Sequence, residues 1–349
     1  MMRDADKAVH RTDLDVDRFS KWLVAEFGAG ETIIQRISGG QSNPTYFIDH
    51  GGRRMVLRKK PSGPILPGAH AIEREFKVLT ALSGAGFPVP QPFRLEERTH
   101  VLGTPFYLME RLEGRVFANA ALGDVSTPQR RGIYLAMAET LARLHAIEPA
   151  EIGLADFGKS GNYFSRQFAR WCRQYAESPS ERVPPLERLA RWLGDNIPAD
   201  DARTTIAHGD FRIGNLMYHP ERPEVVGVLD WELATLGHPL ADLGFCCIPW
   251  VTSPDEFGGI LGLDLAKAGI PPEADFVQQY YRFAAPTPPL RPFHVAFALF
   301  RFAVIFVGIA DRSRAGNAAD AEATRLAPLA ARFAQRGLDV IDAGGSSPP

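Results

Sequence analysis

The pattern of hydrophobic and polar residues divides the chain into two parts of different character. Five short runs in the first part have the composition of β-strands, and turn-forming residues separate the first three: ETIIQRI, PTYFIDH, RRMVLR, QPFRLEER and PFYLMERL. Between the third and fourth runs, AHAIEREFKVLTAL has apolar residues at helical spacing and is closed by Gly84 and Gly86. This pattern predicts about five strands, the first three antiparallel, and one helix before Gly114.

From Thr127 onward, long amphipathic helices replace the strands. In QRRGIYLAMAETLARLHAI, four apolar residues recur at helical spacing: Ile133, Met137, Leu141 and Leu144. One interruption, at residues 215–230, has the pattern of a β-hairpin in which HPERPE joins NLMY to VVGVLD. The second part is therefore predicted to be mainly helical.

Together the two parts predict an α+β, protein-kinase-like fold with two lobes. We expect a small antiparallel β lobe with one helix over residues 1–112 and a larger, mainly helical lobe over residues 113–340. The last residues, 341–349, read IDAGGSSPP and have little apolar surface to bury, so we expect them to be disordered.

Composition and charge narrow the function classes. Hydrophobic residues make up 45% of the 349 residues and charged residues 23%, which is typical of a globular protein. The formal net charge of -2 argues against a nucleic-acid partner, because such proteins need an excess of basic residues. The charged N-terminal stretch MMRDADKAVHRTDLD lacks the apolar core of a secretion signal, so we expect a cytoplasmic location.

Two further features have ordinary structural explanations. The apolar segment 294–310 is interrupted by Arg301, which leaves nine uncharged residues after it, whereas a membrane span needs ~20. We therefore predict a buried helix there and no membrane partner. The cysteines, Cys172, Cys246 and Cys247, form no zinc-binding or disulfide pattern and are expected to be buried thiols.

The chemistry is concentrated in IAHGDFRIGNLMY, which supplies His208, Asp210 and Asn215. Asp230 follows Asn215 by fifteen residues, at the end of the predicted hairpin. Phosphoryl transfer needs a carboxylate that accepts the proton of the substrate hydroxyl and oxygen ligands that hold magnesium. Because a tight hairpin returns the chain to its starting point, Asp210, Asn215 and Asp230 are predicted to converge in those roles.

The histidines fit structural roles better. We expect His208 to hydrogen-bond the loop that contains it and His145 to be a packed or capping residue. His219 and His238 are further candidate metal ligands, but the sequence contains no HExxH or similar zinc pattern, and oxygen ligands suit magnesium better.

At this point the sequence resembles a known family. HGDFRIGNLMY and VLDWELATLGHPLADLGF look like the aminoglycoside phosphotransferase and choline kinase superfamily. Further segments resemble the kinase-like domain found at the N-terminal side of some eukaryotic acyl-CoA dehydrogenases, and its free-standing bacterial relatives: VLRKKPSG, AHAIEREF, FPVPQP and GNYFSRQFARWCRQY. The resemblance covers nearly the whole chain.

This resemblance implies an ATP-dependent phosphotransferase that acts on a hydroxyl group of a small molecule. It makes residues 1–112 the nucleotide-binding lobe and residues 113–340 the catalytic and substrate lobe. It also makes Asp210 the catalytic base and Asn215 and Asp230 the magnesium ligands, with Trp231 and Glu232 in place of the Phe-Gly of the metal-binding triplet of protein kinases.

For the nucleotide, the resemblance points to a flap, a cation and a link. The flap is SGGQSN, from which we expect contacts by Gly39, Gly40, Ser42 and Asn43. Arg58 stands where the family most often has lysine, and Lys60 is the alternative on the same side of the strand. The link around Met109, Glu110 and Arg111 is expected to present backbone groups to the adenine.

The cation should pair with a glutamate of the following helix. A step of ~100° per residue places Glu75 within the apolar arc of that helix, whereas Glu73 falls outside the arc. Glu75 is therefore the predicted partner.

GLADFGKSG, residues 153–161, matches two other nucleotide-site patterns. Gly153 to Ser160 have the spacing of a Walker A loop, and Asp156 to Gly158 spell the kinase metal triplet. A Walker A loop must follow a strand, for which there is no room here, and a metal triplet must follow Asp210 in the sequence. A P-loop NTPase is thus the weaker alternative. A nucleotide-binding scaffold or pseudokinase is a further alternative, because Arg58 and the short flap depart from the pattern that is usual in active kinases.

The acceptor is left open between two classes. A polycationic aminoglycoside would need a cluster of carboxylates, but the candidates Glu232, Asp255 and Glu256 are scattered. A hydroxylated acid or acyl compound would suit the second resemblance, with Arg166, Arg170 or Arg212 pairing with a carboxylate. The choice between ATP and GTP and the oligomeric state are also open.

Overall fold

The computed structural model describes residues 14–37, 43–62, 71–314 and 328–345. It divides the chain into two compact units, residues 1–113, called unit 1, and residues 114–349, called unit 2. The boundary lies one residue beyond the expected one.

Unit 1 contains a five-stranded antiparallel sheet in the order β1-β2-β3-β5-β4. The strands are β1 (Thr32–Arg36), β2 (Thr45–His50), β3 (Arg53–Lys59), β4 (Pro92–Glu96) and β5 (Phe106–Glu110). The five predicted strands are confirmed. The central strand β3 pairs Arg58 with Thr45 on one side and with Tyr107 on the other, which fixes the position of this cation.

Unit 1 has two described helices, α1 (Val16–Phe27) and α2 (Ile72–Gly84), although the sequence pattern predicted only the second. Buried residues of α1, such as Phe19 and Leu23, belong to one hydrophobic cluster with Met55 and Leu57 of β3. Asp15 caps α1 by accepting a hydrogen bond from the Arg18 backbone N–H at 3.0 Å. This cap, followed by apolar residues at helical spacing, is the signal that could have predicted the helix.

Unit 2 is mainly helical. Its helices are α3 (Thr127–Ala146), α4 (Tyr163–Ala176), α5 (Pro184–Asp195), α6 (Pro239–Cys246), α7 (Ile248–Val251), α8 (Leu265–Ala268), α9 (Glu273–Phe283), α10 (Pro292–Arg314) and α11 (Leu329–Gly345). Two small antiparallel pairs complete it: β6 (Thr205–Ala207) with β9 (Thr235–Gly237), and β7 (Leu216–Tyr218) with β8 (Val225–Val228). The second pair is the predicted hairpin.

Helix α10 contains the apolar segment that was predicted to be buried. The 20-residue stretch Pro292–Asp311 is long and apolar enough to cross a membrane, but 72% of its most apolar window is buried inside the protein. Burial of this extent is typical of a core helix. Its buried residues include Leu299, Phe300 and Val304.

The C-terminal prediction needs a correction. Helix α11 continues to Gly345, so residues 341–345 of the expected disordered tail are helical. The apolar residues Leu329, Phe333 and Ala334 anchor this helix in the core, and the tail extends it. Residues 346–349 lie outside the described part of the chain.

The structure excludes the Walker A interpretation of residues 153–161. Helix α3 ends at Ala146 and α4 begins at Tyr163, and the described residues between them form turns without a strand. A side chain at Gly158 would lie 2.5 Å from Thr235 Oγ1, so this glycine is needed for packing against β9. The segment is a connection between two helices, as the sequence pattern favoured.

Candidate functional site

The centre of the candidate site is the catalytic loop, which we define as residues 208–215 of unit 2. It starts at the end of β6 and finishes in a 3-10 turn, Ile213–Asn215, just before β7. Asn215 Nδ2 donates hydrogen bonds to the carbonyl oxygen of Asp210 at 2.9 Å and to its carboxylate Oδ2 at 2.7 Å. Arg212 Nε donates to the same Oδ2 at 3.3 Å. The loop thus brings the predicted base and the predicted amide ligand together, and it leaves the Asn215 amide oxygen facing no donor among the described residues.

Asp230 lies next to this pair because of the β7–β8 hairpin. The backbone N–H of Leu229 donates to the carbonyl of Asn215 at 2.8 Å, so Asp230 is one residue beyond the backbone partner of Asn215. Asp230 has a φ of +64°, a left-handed conformation that is uncommon outside glycine and often found at functional sites. The predicted convergence of Asn215 and Asp230 therefore has a structural basis in the hairpin.

His208 and Trp231 support the loop rather than face a substrate. The His208 ring is buried, and its Nδ1 accepts a hydrogen bond from the Asp210 backbone N–H at 3.2 Å. Its Nε2 therefore carries the ring hydrogen and donates a hydrogen bond to the carbonyl of Leu229 at 2.9 Å. The Trp231 ring packs 4.6 Å from the His208 ring and donates to Val228 O at 2.9 Å. The structural role predicted for His208 fits these contacts.

Asp242 of α6 is an important residue that the sequence pattern did not single out. Its buried carboxylate accepts hydrogen bonds from the backbone N–H of His208 at 2.7 Å and of Gly209 at 2.9 Å. Burial alone would raise the pKa of Asp242, but the hydrogen bond from His145 and the loop N–H groups bring its pKa below the ordinary value. The carboxylate is thus ionised and holds the first two residues of the loop. An aspartate inside the apolar run PLADLGF is the signal that could have identified it.

His145 is packed, as predicted. It lies 3.4 Å from Asp242 Oδ2 through Nε2, and its Nδ1 is 2.8 Å from the hydroxyl of Tyr280.

In unit 1, Arg58 pairs with Glu75, the predicted partner. Arg58 Nε lies 2.8 Å from Glu75 Oε2, and the carboxylate of Glu75 is buried. It also accepts hydrogen bonds from Asn43 Nδ2 at 2.8 Å and from the Tyr107 hydroxyl at 3.0 Å. A buried carboxylate with two hydrogen-bond donors and a guanidinium beside it is well compensated, which holds the Arg58 guanidinium in one place. Its role toward a nucleotide stays a prediction.

Lys60 does not share this partner. Its Nζ lies 2.6 Å from Glu73. Glu73 lies outside the apolar arc of α2 and was not the predicted partner of the cation. Lys60 lies just past the end of β3, and its long side chain reaches the exposed first turn of α2. The two cations therefore form two separate ion pairs with the same helix.

The flap can be assessed only at Asn43. Gly39, Gly40 and Ser42 lie outside the described residues. Asn43 is buried, and its side chain is bonded to Glu75. The side chain of Asn43 thus ties the end of the flap to α2, a contact that the sequence pattern did not predict.

Two backbone N–H groups of the link residues are bonded within unit 1. The backbone N–H of Glu110 donates to Gln91 O at 2.8 Å and that of Arg111 to Arg54 O at 3.4 Å. Both N–H groups are therefore bonded inside unit 1, and the contact of the link backbone with an adenine stays a prediction. Met109 pairs with Val56 in the sheet, and the contribution of its backbone stays a prediction.

A cavity in unit 2 opens beside the catalytic loop. Its apolar lining includes Phe245, Ile248, Phe257 and Phe302, and its charged lining consists of Arg212 and Glu256. Glu256 accepts hydrogen bonds from Arg336 at 2.9 and 3.3 Å. Burial would raise the pKa of Glu256, but the Arg336 guanidinium and the Ser253 N–H lower it, so this carboxylate is ionised and paired. Both charged side chains at the cavity are thus already engaged.

The other acceptor candidates do not form a common site. Asp255 pairs with Arg332 at 2.6 Å, and Glu232 is exposed. Arg166 donates to the backbone carbonyls of Lys159 and Gly161, and Arg170 lies 5.3 Å from the ring of Trp171. Of the three candidate arginines, the structure places Arg212 alone against the Asp210 carboxylate.

The donor set of the catalytic loop suits a hard cation. Asp210, Asn215 and Asp230 supply carboxylate and amide oxygens, which magnesium prefers over imidazole or thiolate ligands. Within the described residues, no group of three or more His, Cys, Asp or Glu side chains is arranged to hold a metal ion. The histidines offered as alternative ligands therefore form no such group in the parts of the chain described.

Comparisons with known proteins identify a matching family and its curated relatives. Residues 33–280 match the sequence profile of the family described as "Phosphotransferase enzyme family". Acyl-CoA dehydrogenase family member 10 of Mus musculus is 40% identical over 332 residues, which are 93% of this chain and 30% of the mouse protein. The chain spans only 30–44% of the length of the curated relatives it matches.

Solved structures show the same fold. A crystal structure from Ralstonia eutropha JMP134, assigned as a candidate aminoglycoside phosphotransferase, is 39% identical with a TM-score of 0.85 and covers 95% of this chain and 99% of its own. The aminoglycoside phosphotransferase APH(4)-Ia, in a complex with AMP-PNP and hygromycin B, is 15% identical with a TM-score of 0.61, over 94% and 99% of the two chains. The predicted protein-kinase-like α+β fold is thereby confirmed.

Proposed function

We propose, from the premise that this chain belongs to the phosphotransferase enzyme family, that it transfers the γ-phosphoryl group of ATP to a hydroxyl group of a small molecule. The observation that supports this proposal most is the contact of Asn215 Nδ2 with Asp210 Oδ2 at 2.7 Å, beside the hairpin that carries Asp230. Phosphoryl transfer needs a positioned carboxylate and oxygen ligands, and this arrangement supplies both.

Asp210 is the proposed base. Its carboxylate accepts hydrogen bonds from Asn215 and Arg212, which orient it. In the reaction it accepts the proton of the acceptor hydroxyl as the oxygen attacks the γ-phosphorus, while the bond from the γ-phosphorus to the β–γ bridging oxygen breaks and ADP leaves. Asn215 Oδ1 and the Asp230 carboxylate would hold Mg²⁺, which when bound neutralises charge on the phosphates.

Arg58 is the proposed phosphate contact. Its guanidinium is kept in place by Glu75, and 15% of its side chain is exposed. A planar guanidinium suits the paired oxygens of a phosphate. Lys60 is more exposed and is held by Glu73, which makes it the weaker candidate.

For the acceptor, the cavity beside the catalytic loop favours a hydroxylated acid or acyl compound over an aminoglycoside. A polycation would need unpaired carboxylates, whereas the one carboxylate at this cavity is already paired with Arg336. The aromatic and aliphatic lining instead suits an apolar body attached to the hydroxyl. The similarity to a protein named as an acyl-CoA dehydrogenase family member supports the same class.

The decisive experiment compares the wild-type protein with Asp210→Asn. Both are incubated with ATP, magnesium and a panel of hydroxy acids, hydroxyacyl thioesters and aminoglycosides, and phosphorylated products are measured. We expect an acceptor from the first two classes, and a loss of about 100- to 10,000-fold in Asp210→Asn, because general base catalysis contributes that much. Asp255→Asn is the control, since this carboxylate pairs with Arg332 on the surface.

Equal turnover by Asp210→Asn would disprove the mechanism. Magnesium-dependent ATP binding without turnover on any acceptor would instead support the scaffold or pseudokinase alternative. Selective phosphorylation of aminoglycosides would contradict the proposed acceptor class and leave the mechanism intact.

A further inference from the structure

Arg301 is a charged residue in the middle of the apolar helix α10. Its helix neighbours Phe300 and Phe302 are buried, and most of the segment around it belongs to the core. A guanidinium in such surroundings is costly unless its charge is compensated. No carboxylate within the described ranges forms an ion pair with Arg301, so the compensation has another source.

That source is the catalytic loop and two aromatic rings. Arg301 Nη2 donates a hydrogen bond to the carbonyl oxygen of Gly209. The guanidinium carbon lies 5.4 Å from the ring centroid of Phe245 and 5.8 Å from that of Trp171. Aromatic faces attract a cation but do not orient it, so the contact with Gly209 gives the guanidinium its direction.

Gly209 is held on both sides by this arrangement. Its N–H donates to Asp242, and its carbonyl accepts from Arg301. Its φ is +83°, and a Cβ at this position would lie 2.9 Å from Leu233 O, so no other residue fits without strain. The carbonyl of Gly209 belongs to the same planar peptide unit as the nitrogen and Cα of Asp210. Fixing this carbonyl therefore fixes the plane from which the Asp210 side chain projects.

We propose that Arg301 is a positioning residue for Asp210: it locks the Gly209–Asp210 peptide in the orientation that aims the carboxylate at the acceptor. The proposal rests on the proposed function of Asp210 as the base. A displacement of about 1 Å at a reacting group can lower the rate by about 100-fold, so the loss of a carbonyl anchor should be visible in the rate. Arg301 thus has a function that burial in an apolar helix alone would not explain.

The test uses the full-length variants Arg301→Met and Arg301→Ala, with ATP hydrolysis to water in the presence of magnesium as the probe reaction. Methionine keeps the length and apolar packing of the side chain but cannot donate to Gly209. We expect kcat to fall by about 10- to 100-fold while KM for ATP changes less than about two-fold. Added guanidinium, far below denaturing concentrations, should restore activity to Arg301→Ala, because the site between the two rings is then open to it.

Arg182→Ala is the matched control. Arg182 is also a cation beside an aromatic ring, 5.1 Å from that of Tyr175, and it donates to backbone carbonyls, but to those of Tyr175 and Ala176 and not to the catalytic loop. It should keep the wild-type kcat, and guanidinium should not increase its rate. Wild-type kcat in Arg301→Met, or no restoration of Arg301→Ala by guanidinium, would overturn the proposal.

A second measurement separates this inference from the proposed function. Amide hydrogen exchange should become faster in Arg301→Met at residues 208–212 and stay unchanged elsewhere in unit 2, whether or not turnover is measurable. If Asp210→Asn hydrolyses ATP like the wild type, the proposed base is wrong, and exchange still decides whether Arg301 holds the loop. Unchanged exchange in this segment would contradict the anchor itself.

Discussion

Individual buried side chains hold the catalytic loop at its backbone. Asp242 accepts two backbone N–H groups of the loop, at 2.7 and 2.9 Å, and has His145 as a further neighbour. A buried carboxylate with several donors stays ionised, and removing its charge leaves these donors without their strongest acceptor. The position of Asp210 thus depends on a residue of α6 that binds the loop at the two residues before it.

We expect Asp242→Asn to lower both stability and activity. An asparagine offers one acceptor oxygen and turns an N–H toward a backbone N–H, so the free energy of unfolding should fall by about 3 kcal/mol. Denaturant unfolding and ATP turnover measure the two effects. Asp255→Asn should change neither, and a wild-type unfolding curve for Asp242→Asn would show that the carboxylate is not needed.

At the level of elements, the contacts that the structure describes between helix α2 and the end of β3 with the residue after it include two ion pairs of different character. Arg58 and Glu75 form the buried pair, with side-chain exposures of 15% and 2%. Lys60 and Glu73 form the outer pair, with exposures of 24% and 33%. Solvent screens the outer pair, whereas removing one partner of the inner pair leaves a buried charge without compensation. The inner pair therefore determines how α2 is fastened to the sheet.

Comparing Arg58→Met with Lys60→Met tests this difference. We expect Arg58→Met to lower the free energy of unfolding by about 3 kcal/mol, and Lys60→Met by less than about 1 kcal/mol. Calorimetric titration should also show weaker MgATP binding by Arg58→Met than by Lys60→Met. If Lys60→Met weakens binding more, Lys60 is the phosphate contact and the proposed assignment is wrong.

At the level of the whole molecule, buried histidines make stability depend on pH. Burial lowers the pKa of His294 to about 4, and its Nδ1 accepts a hydrogen bond from the Arg291 N–H at 2.9 Å. His238, whose ring stacks parallel to His294 at 6.4 Å, also has a pKa lowered by burial, while the nearby Asp201 carboxylate acts against both shifts. His238 lies immediately before α6, His294 lies in α10, and Asp201 lies in the segment before β6.

The sign of the pH effect follows from proton binding. In the unfolded chain His294 binds a proton near pH 6.5, whereas in the folded protein it stays neutral down to about pH 4. The unfolded state therefore binds more protons in this window, and stability falls as the pH falls from 6.5 to 4. For His294 the loss is on the order of 2 kcal/mol at pH 5.

Unfolding at pH 7 and pH 5 measures this effect. His294→Asn keeps an acceptor for the Arg291 N–H but cannot titrate, so the difference between the two pH values should become smaller. His100→Asn, at an exposed position, should leave the difference unchanged. An unaltered pH dependence in His294→Asn would contradict the assignment.

Local sequence pattern by itself determined much of this protein. The strands of unit 1, the hairpin and helix α2 follow from apolar spacing and turn residues, which act over a few neighbouring residues. The same locality explains why Asp210, Asn215 and Asp230, which lie on one loop and one hairpin, could be grouped from the sequence. The pairing of Arg58 with Glu75 was expected from the family resemblance, and the helical spacing of α2 selected Glu75 rather than Glu73. Helix α1 has the same kind of local signal in its cap, but it was not among the predicted elements.

Only the tertiary structure decided which distant side chains hold the catalytic loop and which carboxylates are paired with an arginine. Asp242 is separated from His208 by 34 residues and Arg301 from Gly209 by 92, and Arg336 pairs with Glu256 across 80 residues. Such contacts depend on how helices pack, and periodicity along the chain carries no information about the partner on another helix. An aspartate in α6 and an arginine in α10 therefore look like breaks in an apolar pattern until the folded backbone of the loop provides the groups that they bind.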